Sequence, residues 1–389
     1  MLSGISTGPQ GLPLSAGETA KQSARKLETI LITGARAPVA LELARSFKQH
    51  GHRVLLADSL RLTLGRWSDA VDKYCVLPPP RQKAAAFAAK IKRIIATENV
   101  THLVPTCEEA FYISLFKNEF DCKTWCAEAE LMDALHNKRT FSQVAKPFFQ
   151  IPETVAVPEF TDWNNSADYV FKPVYSRFAS RVIIGQSVAE TFFPELEKAG
   201  WIAQKRISGH EICLYSVWDA GRLKAYAAYH PLYRVGRGAG IFFAPVSHPA
   251  AFGQVKAFGQ AMNYTGQLCF DVIVDESGKP FFIECNPRST SGAHLIGSGL
   301  AAAFLKDGDL ELPDGREYSL KCALAVLEPL SFMKRRVRHS TDVVFRRNDP
   351  LPFLLQPLGL LEIGCRAIAS RTGWLEAATG DIEWNGHGN

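Results

Sequence analysis

The stretch GQLCFDVIVDESGKPFFIECNPR, Gly266 to Arg288, decides the reading of this chain. Two runs rich in Val, Ile and Phe flank a polar ESGK, the pattern of two strands joined by a tight turn. With Glu276 to Lys279 as a four-residue hairpin loop, Asp275 faces Pro280, and counting back along an antiparallel ladder sets Asp271 directly opposite Glu284. Opposed residues hold their Cβ atoms ~4.5–5.5 Å apart, where two carboxylates repel unless a cation or a proton lies between them. A divalent metal resolves the conflict. Asn286, two residues beyond Glu284, shares its face by strand alternation and supplies a neutral oxygen. Magnesium commonly takes one or two carboxylates and completes its shell with water and substrate phosphates, so this set points to a nucleotide. The plain alternative is a solvated polar face, and Arg288 continuing the same face argues against it.

Upstream, Lys172 in VFKPVYS stands on a predicted strand with its ammonium off one face. The following SRFAS adds Ser176 and Ser180 beside Arg177 and Arg181, hydroxyls and cations suited to covering a phosphate chain. In WIAQKRISGHEI, Gln204 and the main chain from Lys205 to Ile207 can read the polar edge of adenine, and Glu211 can accept from ribose hydroxyls. Between Glu211 and Asp271, YRVGRGAGIFF brackets a glycine turn with Arg234 and Arg237, which are assigned to substrate binding or a lid. His294, in SGAHLIGSG, reads as a satisfied helix-start histidine rather than a substrate contact.

Further toward the N-terminus the texture changes. TILITG (29–34), RVLLADS (53–59), THLVPTC (101–107) and CKTWCA (122–127) alternate with helical stretches, which means βαβ units on a parallel sheet. The first turn, TGARAPVA, has one glycine where a dinucleotide fingerprint needs three, so an oxidoreductase is disfavoured.

Read in order, these pieces resemble the ATP-grasp superfamily over about Glu28 to Leu300. The resemblance rests on the joint order of KP, Q-x6-E and D-x12-E-x-N-P-R. Its NPR ending is most similar to carbamoyl phosphate synthetase large chains and biotin carboxylases. The resemblance implies an α/β plus α+β chain with a Rossmann-like domain (28–127) and a two-subdomain ATP-grasp domain (128–303); the Gly-, Pro- and Ser-rich residues 1–27 read as a flexible arm, and 304–389 are expected to form a C-terminal extension packed on the core. It implies ATP with one or two magnesium ions (manganese being an alternative) held by Asp271, Glu284 and Asn286. Lys172 and Lys138, in NKRTF, would hold phosphates; Gln204, Lys205 and Ile207 the adenine; Glu211 the ribose. Arg288 would face the transferring phosphoryl group and the acceptor carboxylate. SRFASRV stands where many members carry a glycine-rich phosphate loop.

The activity so implied is ligation of a carboxylate, activated as an acyl phosphate, to an amine with release of ADP and phosphate. The alternatives are a bicarbonate-phosphorylating carboxylase and a non-catalytic ATP-binding regulatory protein. The expected partners are a small acid and amine, with a homodimer as the candidate assembly. The 44 Lys and Arg against 39 Asp and Glu, a net +5, are too dilute to require nucleic acid. The longest apolar run is read as Ala293 to Leu305, too short to span a bilayer, so no membrane segment is expected. Nine cysteines without a Cys-x-x-Cys pair suit reduced thiols and a cytoplasmic setting. In the C-terminal part, KRRVRH (334–339) reads as a solvated face, Leu360 to Ala377 as an amphipathic helix, and DIEWNG (381–386) has no assigned role.

Overall fold

The computed structural model describes residues 27–176, 181–194, 200–234, 238–306 and 308–386. The N-terminal arm falls outside these residues but for its last, as do Arg177, Ser180 and Arg237. Three sheets organise the described residues.

The first sheet holds β1 (Thr29–Thr33), β2 (Arg53–Asp58), β3 (Lys73–Val76), β4 (His102–Val104) and β5 (Lys123–Thr124), all parallel, in the order β3-β2-β1-β4-β5. The buried runs of Ile, Leu and Val in β1, β2 and β4 are those of strands covered on both faces. Helices Pro38–Gln49 and Ala84–Glu98 are two of the expected crossovers, and Pro38 at the first turn suits the helix start, where its missing N–H is no loss. At the turn after β1, Gly34 (φ +74°) lies against Thr106 and Glu109. Glu109 accepts from Thr33 Oγ1 (2.7 Å) and the Thr106 N–H (3.0 Å), so this turn carries acceptors where a pyrophosphate needs donors.

The second, smaller sheet runs β6 (Thr154–Ala156), β9 (Trp201–Lys205), β7 (Tyr169–Pro173) and β8 (Ile183–Ile184), antiparallel throughout. One face buries Phe171 and Ala203 against Phe160, Phe193 and Trp201. The other presents Lys172 and Gln204, which alternation sends away from that core.

The third sheet has seven strands in the order β14-β13-β10-β11-β12-β15-β16: β10 (His210–Asp219), β11 (Arg222–Arg234), β12 (Gly240–Val246), β13 (Gly266–Val274), β14 (Pro280–Asn286), β15 (Tyr318–Ser319) and β16 (Thr341–Asp342). It abuts the parallel sheet where β13 begins. A Cβ on Gly266 (φ +115°) would sit 2.8 Å from the Trp125 carbonyl, and Gln267 Nε2 donates to the Pro105 carbonyl (2.8 Å). A ring cluster backs the β13–β14 hairpin, with Phe149 stacked on Phe282 at 3.9 Å and Phe258 edge-on to Phe270.

Residues beyond β16 return to the parallel sheet. Asp381 pairs with Arg36 (2.6 Å), which also holds Asp58 (2.6 Å). Trp384 stacks on Phe111 (5.5 Å), donates Nε1 to Asp133 (2.7 Å) and gives its N–H to Glu108 (3.0 Å). DIEWNG thus closes over the C-terminal edge of the first sheet.

Two expectations need correction. The helix read as Leu360 to Ala377 is two helices, Gln356–Ser370 and Trp374–Thr379, broken where Arg371 adopts φ +54°. And a longer apolar stretch than Ala293 to Leu305 is Leu351–Ser370, 20 residues that include an 18-residue stretch of mean hydropathy 1.3, only 6% of it buried, long and apolar enough by length and composition to cross a membrane. Its interrupting Gln356, Glu362 and Arg366 disguise it as a linear run; Glu362 caps the N–H groups of Arg61 and Leu62. All nine cysteines are unpaired thiols.

Burial alone raises the Asp381 carboxyl, but hydrogen bonds and charge from Arg36 outweigh it and hold the group below the usual aspartate range. Replacement Asp381→Asn should lower unfolding free energy by about 1–3 kcal/mol in urea titrations. Because the folded value is depressed, the difference from wild type is complete above the unfolded aspartate value of ~3.9 and vanishes as pH falls through the folded value. A difference below about 0.5 kcal/mol at neutral pH, the scale of an ordinary surface change, would contradict this role.

Candidate active site

The site begins at the hairpin. Asp271 lies opposite Glu284, but the route differs from a plain four-residue loop. Asp275 pairs with Lys279, not Pro280: its N–H donates to the Lys279 carbonyl, and its carbonyl accepts from Gly278 N–H (both 3.0 Å). Gly278 takes φ +83°, the left-handed position of a three-residue hairpin loop. Val274 then faces Pro280 and Val272 faces Phe282. The ladder slips by one between Val272 and Asp271, leaving Ile283 as an extra residue.

That bulge decides which face Glu284 occupies. Phe282 and Glu284 have the same parity, and regular alternation would put both on one side of the sheet. With Ile283 bulged, Phe282 enters the aromatic core, fully buried, while Glu284 joins Asp271 on the opposite face.

The small sheet closes over this point. Lys172 Nζ and Gln204 Nε2 both donate to the carbonyl of the bulged Ile283, at 3.2 and 3.4 Å. Lys172 Nζ lies 4.0 Å from Glu284 Oε2, and Lys138 Nζ 3.5 Å from the same oxygen. Lys138 opens helix Lys138–Val144, whose start is fixed by Asn137 Oδ1 accepting from Arg139 and Thr140 N–H. Lys138 Nζ also donates to the Ser176 carbonyl (3.2 Å), so Ser176 meets the cluster through its main chain. Both ammonium groups are almost wholly buried.

The electrostatics divide the carboxylate pair. Burial raises Glu284, but the charges of Lys138 and Lys172 overcome it and bring the group well below the usual range. Asp271 goes the other way: burial, then the charges of Glu284 and Glu211, push it far up. Asn286 Nδ2 donates to Asp271 Oδ2 at 3.5 Å. Burial lowers Lys172 to about 8, against a partial rescue by Glu284. A carboxyl crowded by Glu284 and Glu211, with the Asn286 amide beside it, fits a hard divalent cation.

The remaining expected residues lie around this centre. Glu211, on β10, pairs with Arg234 at the end of β11 (2.6 Å). Arg288 Nη2 reaches Asn286 Oδ1 (3.2 Å) and lies 3.8 Å from Glu108, while its Nε is buried without a hydrogen-bond partner among the described residues. Lys205 turns its side chain outward to Asp168 (3.3 Å) and over the Tyr169 ring, while its N–H donates to the Glu153 carbonyl; Ile207 lies just beyond the end of β9. His294 is buried against Glu42 (3.2 Å), the satisfied histidine expected. Arg336 of the basic run pairs with Glu317 (2.5 Å).

Three participants were not singled out from the sequence. The Ile283 carbonyl is a backbone group exposed by a bulge. Glu108 approaches Arg288 from the parallel sheet, through a long-range contact with no local signal. Cys213 is the direct register partner of Asp271 on β10 and was findable by extending the ladder one strand further.

Comparison with known proteins gives the fold. No protein-family model matches the sequence, and no curated protein sequence does. Solved structures do match. N5-carboxyaminoimidazole synthetase from Staphylococcus aureus, complexed with ADP, superposes with a TM-score of 0.61 at 14% identity, over 79% of this chain and 86% of that one. The chain has the ATP-grasp fold. Two further ATP-grasp structures agree. The biotin carboxylase domain of Hydrogenobacter thermophilus 2-oxoglutarate carboxylase, with MgADP, ADP and bicarbonate, gives 0.57 at 13%, over 73% and 71%. L-amino acid ligase from Bacillus licheniformis gives 0.53 at 14%, over 70% and 68%.

The two carboxylates should respond oppositely to neutralisation in ligand-free protein. Glu284→Gln leaves two buried ammonium groups without their counter-charge and should cost about 3 kcal/mol or more. Asp271→Asn replaces a carboxyl whose ionisation burial and two acidic neighbours already oppose, and should be neutral or stabilising. Urea denaturation in EDTA measures both; a larger loss for Asp271→Asn would overturn this electrostatic account.

Proposed function

We propose that this chain is an ATP-dependent, ADP-forming ligase that activates a substrate carboxylate as an acyl phosphate and joins it to an amine. The observation carrying this reading is Glu284 held between Lys138 and Lys172, with Asp271 opposed to it, inside an ATP-grasp fold. In this reading Asp271, Glu284 and Asn286 hold magnesium, which neutralises phosphate charge when bound. Lys138 and Lys172 would direct their donors to the phosphates. Gln204 and the main chain of Lys205 to Ile207 hold the adenine, and Glu211 accepts from the ribose.

Arg288 is the group for the acceptor. Its guanidinium stands between Asn286 and Glu108, at the edge of the parallel sheet near the switch between β1 and β4, where open α/β sheets bind ligands. Its forked donors match a carboxylate or a transferring phosphoryl group. No protein nucleophile is required: positioning and charge stabilisation do the work, with phosphate leaving as the amine attacks the acyl carbon. Arg234 and Arg237 remain the proposed substrate-loop arginines. The same chemistry accepts bicarbonate as the acid, a reading favoured by the carboxylase structure that holds bicarbonate with MgADP.

Saturating ATP with magnesium, at ~100 times the dissociation constant, should stabilise the protein by ~2.7 kcal/mol in thermal denaturation, with little effect from either alone. Lys172→Met should abolish that gain. Arg288→Ala should keep it while reducing acid-dependent ADP release at least about a hundredfold, the scale of losing a transition-state charge contact. An unchanged rate in Arg288→Ala, measured by coupled ADP assay over panels of acids, bicarbonate and amines, would contradict its role. No stabilisation by ATP and magnesium would contradict the nucleotide site itself.

A further inference from the structure

Asp271 has two lateral neighbours on its sheet. β14 brings Glu284 to one side, and β10 brings Cys213 to the other, in direct register. Glu211, two residues before Cys213, shares its face by alternation. One carboxylate oxygen each from Glu211 and Asp271 and the Cys213 Sγ lie within 4.8 Å of one another. Among the described residues this is the one set of three or more His, Cys, Asp or Glu donors so close. Its sulfur separates it from the site already described. Magnesium takes oxygen ligands and has no use for a thiol, whereas thiolates select soft and borderline ions over hard ones.

We propose that Glu211, Cys213 and Asp271 form a second cation site, for a thiophilic divalent ion of the zinc or cadmium class, sharing Asp271 with the magnesium site so that the two ions exclude each other. Three protein donors and one water complete a four-coordinate shell. On binding, the Cys213 S–H bond breaks, its proton goes to solvent and the sulfur lone pair forms the metal bond; no oxidant or reductant is involved. Glu211 Oε1 lies 3.7 Å from the Cys213 Sγ and is also held by Arg234 at 2.6 Å, so the ion competes with Arg234 for that carboxylate. The Glu211 side chain is 32% exposed, which opens a path to a sulfur that is itself buried.

The consequence is a chain whose nucleotide site is blocked by low concentrations of thiophilic metal. Metal–sulfur bonding is readable without any nucleotide, so this inference and the ligase reading fail separately. The test uses the full chain with the exposed Cys322 and Cys365 changed to Ser, titrated with cobalt(II) in the absence of nucleotide. A thiolate-to-cobalt charge-transfer band should appear in the near ultraviolet, saturate at a single equivalent and be displaced by zinc. Adding Cys213→Ser should remove the band. Glu211→Gln should weaken cobalt affinity while keeping the band at saturation, and it tests the site even where the serine variant does not fold. No band in the parent, a band that survives Cys213→Ser, or unchanged affinity in Glu211→Gln would each overturn the site. In the parent, one equivalent of zinc should also abolish stabilisation by ATP and magnesium; stabilisation that persists would overturn the mutual exclusion.

Discussion

The structure turns on one extra residue. Ile283 bulges out of β14, and through it Glu284 leaves the aromatic core side, where Phe282 sits, and meets Asp271. The bulge also turns a main-chain carbonyl toward the small sheet, where Lys172 and Gln204 both take it. A single irregularity therefore creates the carboxylate pair and ties the lid sheet to it. The burial of two ammonium groups is tolerable only because Glu284 lies between them, and the depression of Glu284 is the counterpart of that arrangement.

The three sheets supply different parts of the chemistry. The antiparallel sheet is rigid and aromatic behind its hairpin, so it fixes the carboxylates. The small sheet carries Lys172 and has its own core of Phe160, Phe171, Phe193 and Trp201, while Lys138 opens the helix Lys138–Val144. The parallel sheet contributes Glu108 beside Arg288, and the C-terminal segment presses Trp384 onto that edge through the Glu108 carboxylate. Residues with no assigned chemistry in the sequence thus border the place proposed for the acceptor.

Much of this was legible in the residues. The alternation of apolar strands and helices gave the parallel sheet, because buried strands need long apolar runs. The Asp271–Glu284 opposition was predicted from loop counting, and it holds through two departures that cancel: the loop is one residue tighter in register, and the bulge restores the count. Such a bulge leaves no mark in composition, since Phe-Phe-Ile-Glu reads as an ordinary alternating strand end. Glu108, Cys213 and the return of Asp381 to Arg36 were hidden for another reason, each being a contact between segments far apart in sequence. The apolar helix Gln356–Ser370 is masked in the linear sequence because its polar residues recur at helical spacing and break up the run.

The central claim is that the Asp271–Glu284 pair is built for a divalent cation shared with a nucleotide. Electron paramagnetic resonance of manganese(II), titrated into the protein with and without ADP, tests it most directly. The account predicts that ADP tightens manganese binding at least about tenfold, and that Glu284→Gln and Asp271→Asn each lose this coupling, a free energy on the order of 1.4 kcal/mol or more. Manganese that binds equally well with and without ADP, or whose coupling to ADP survives in both variants, would contradict it.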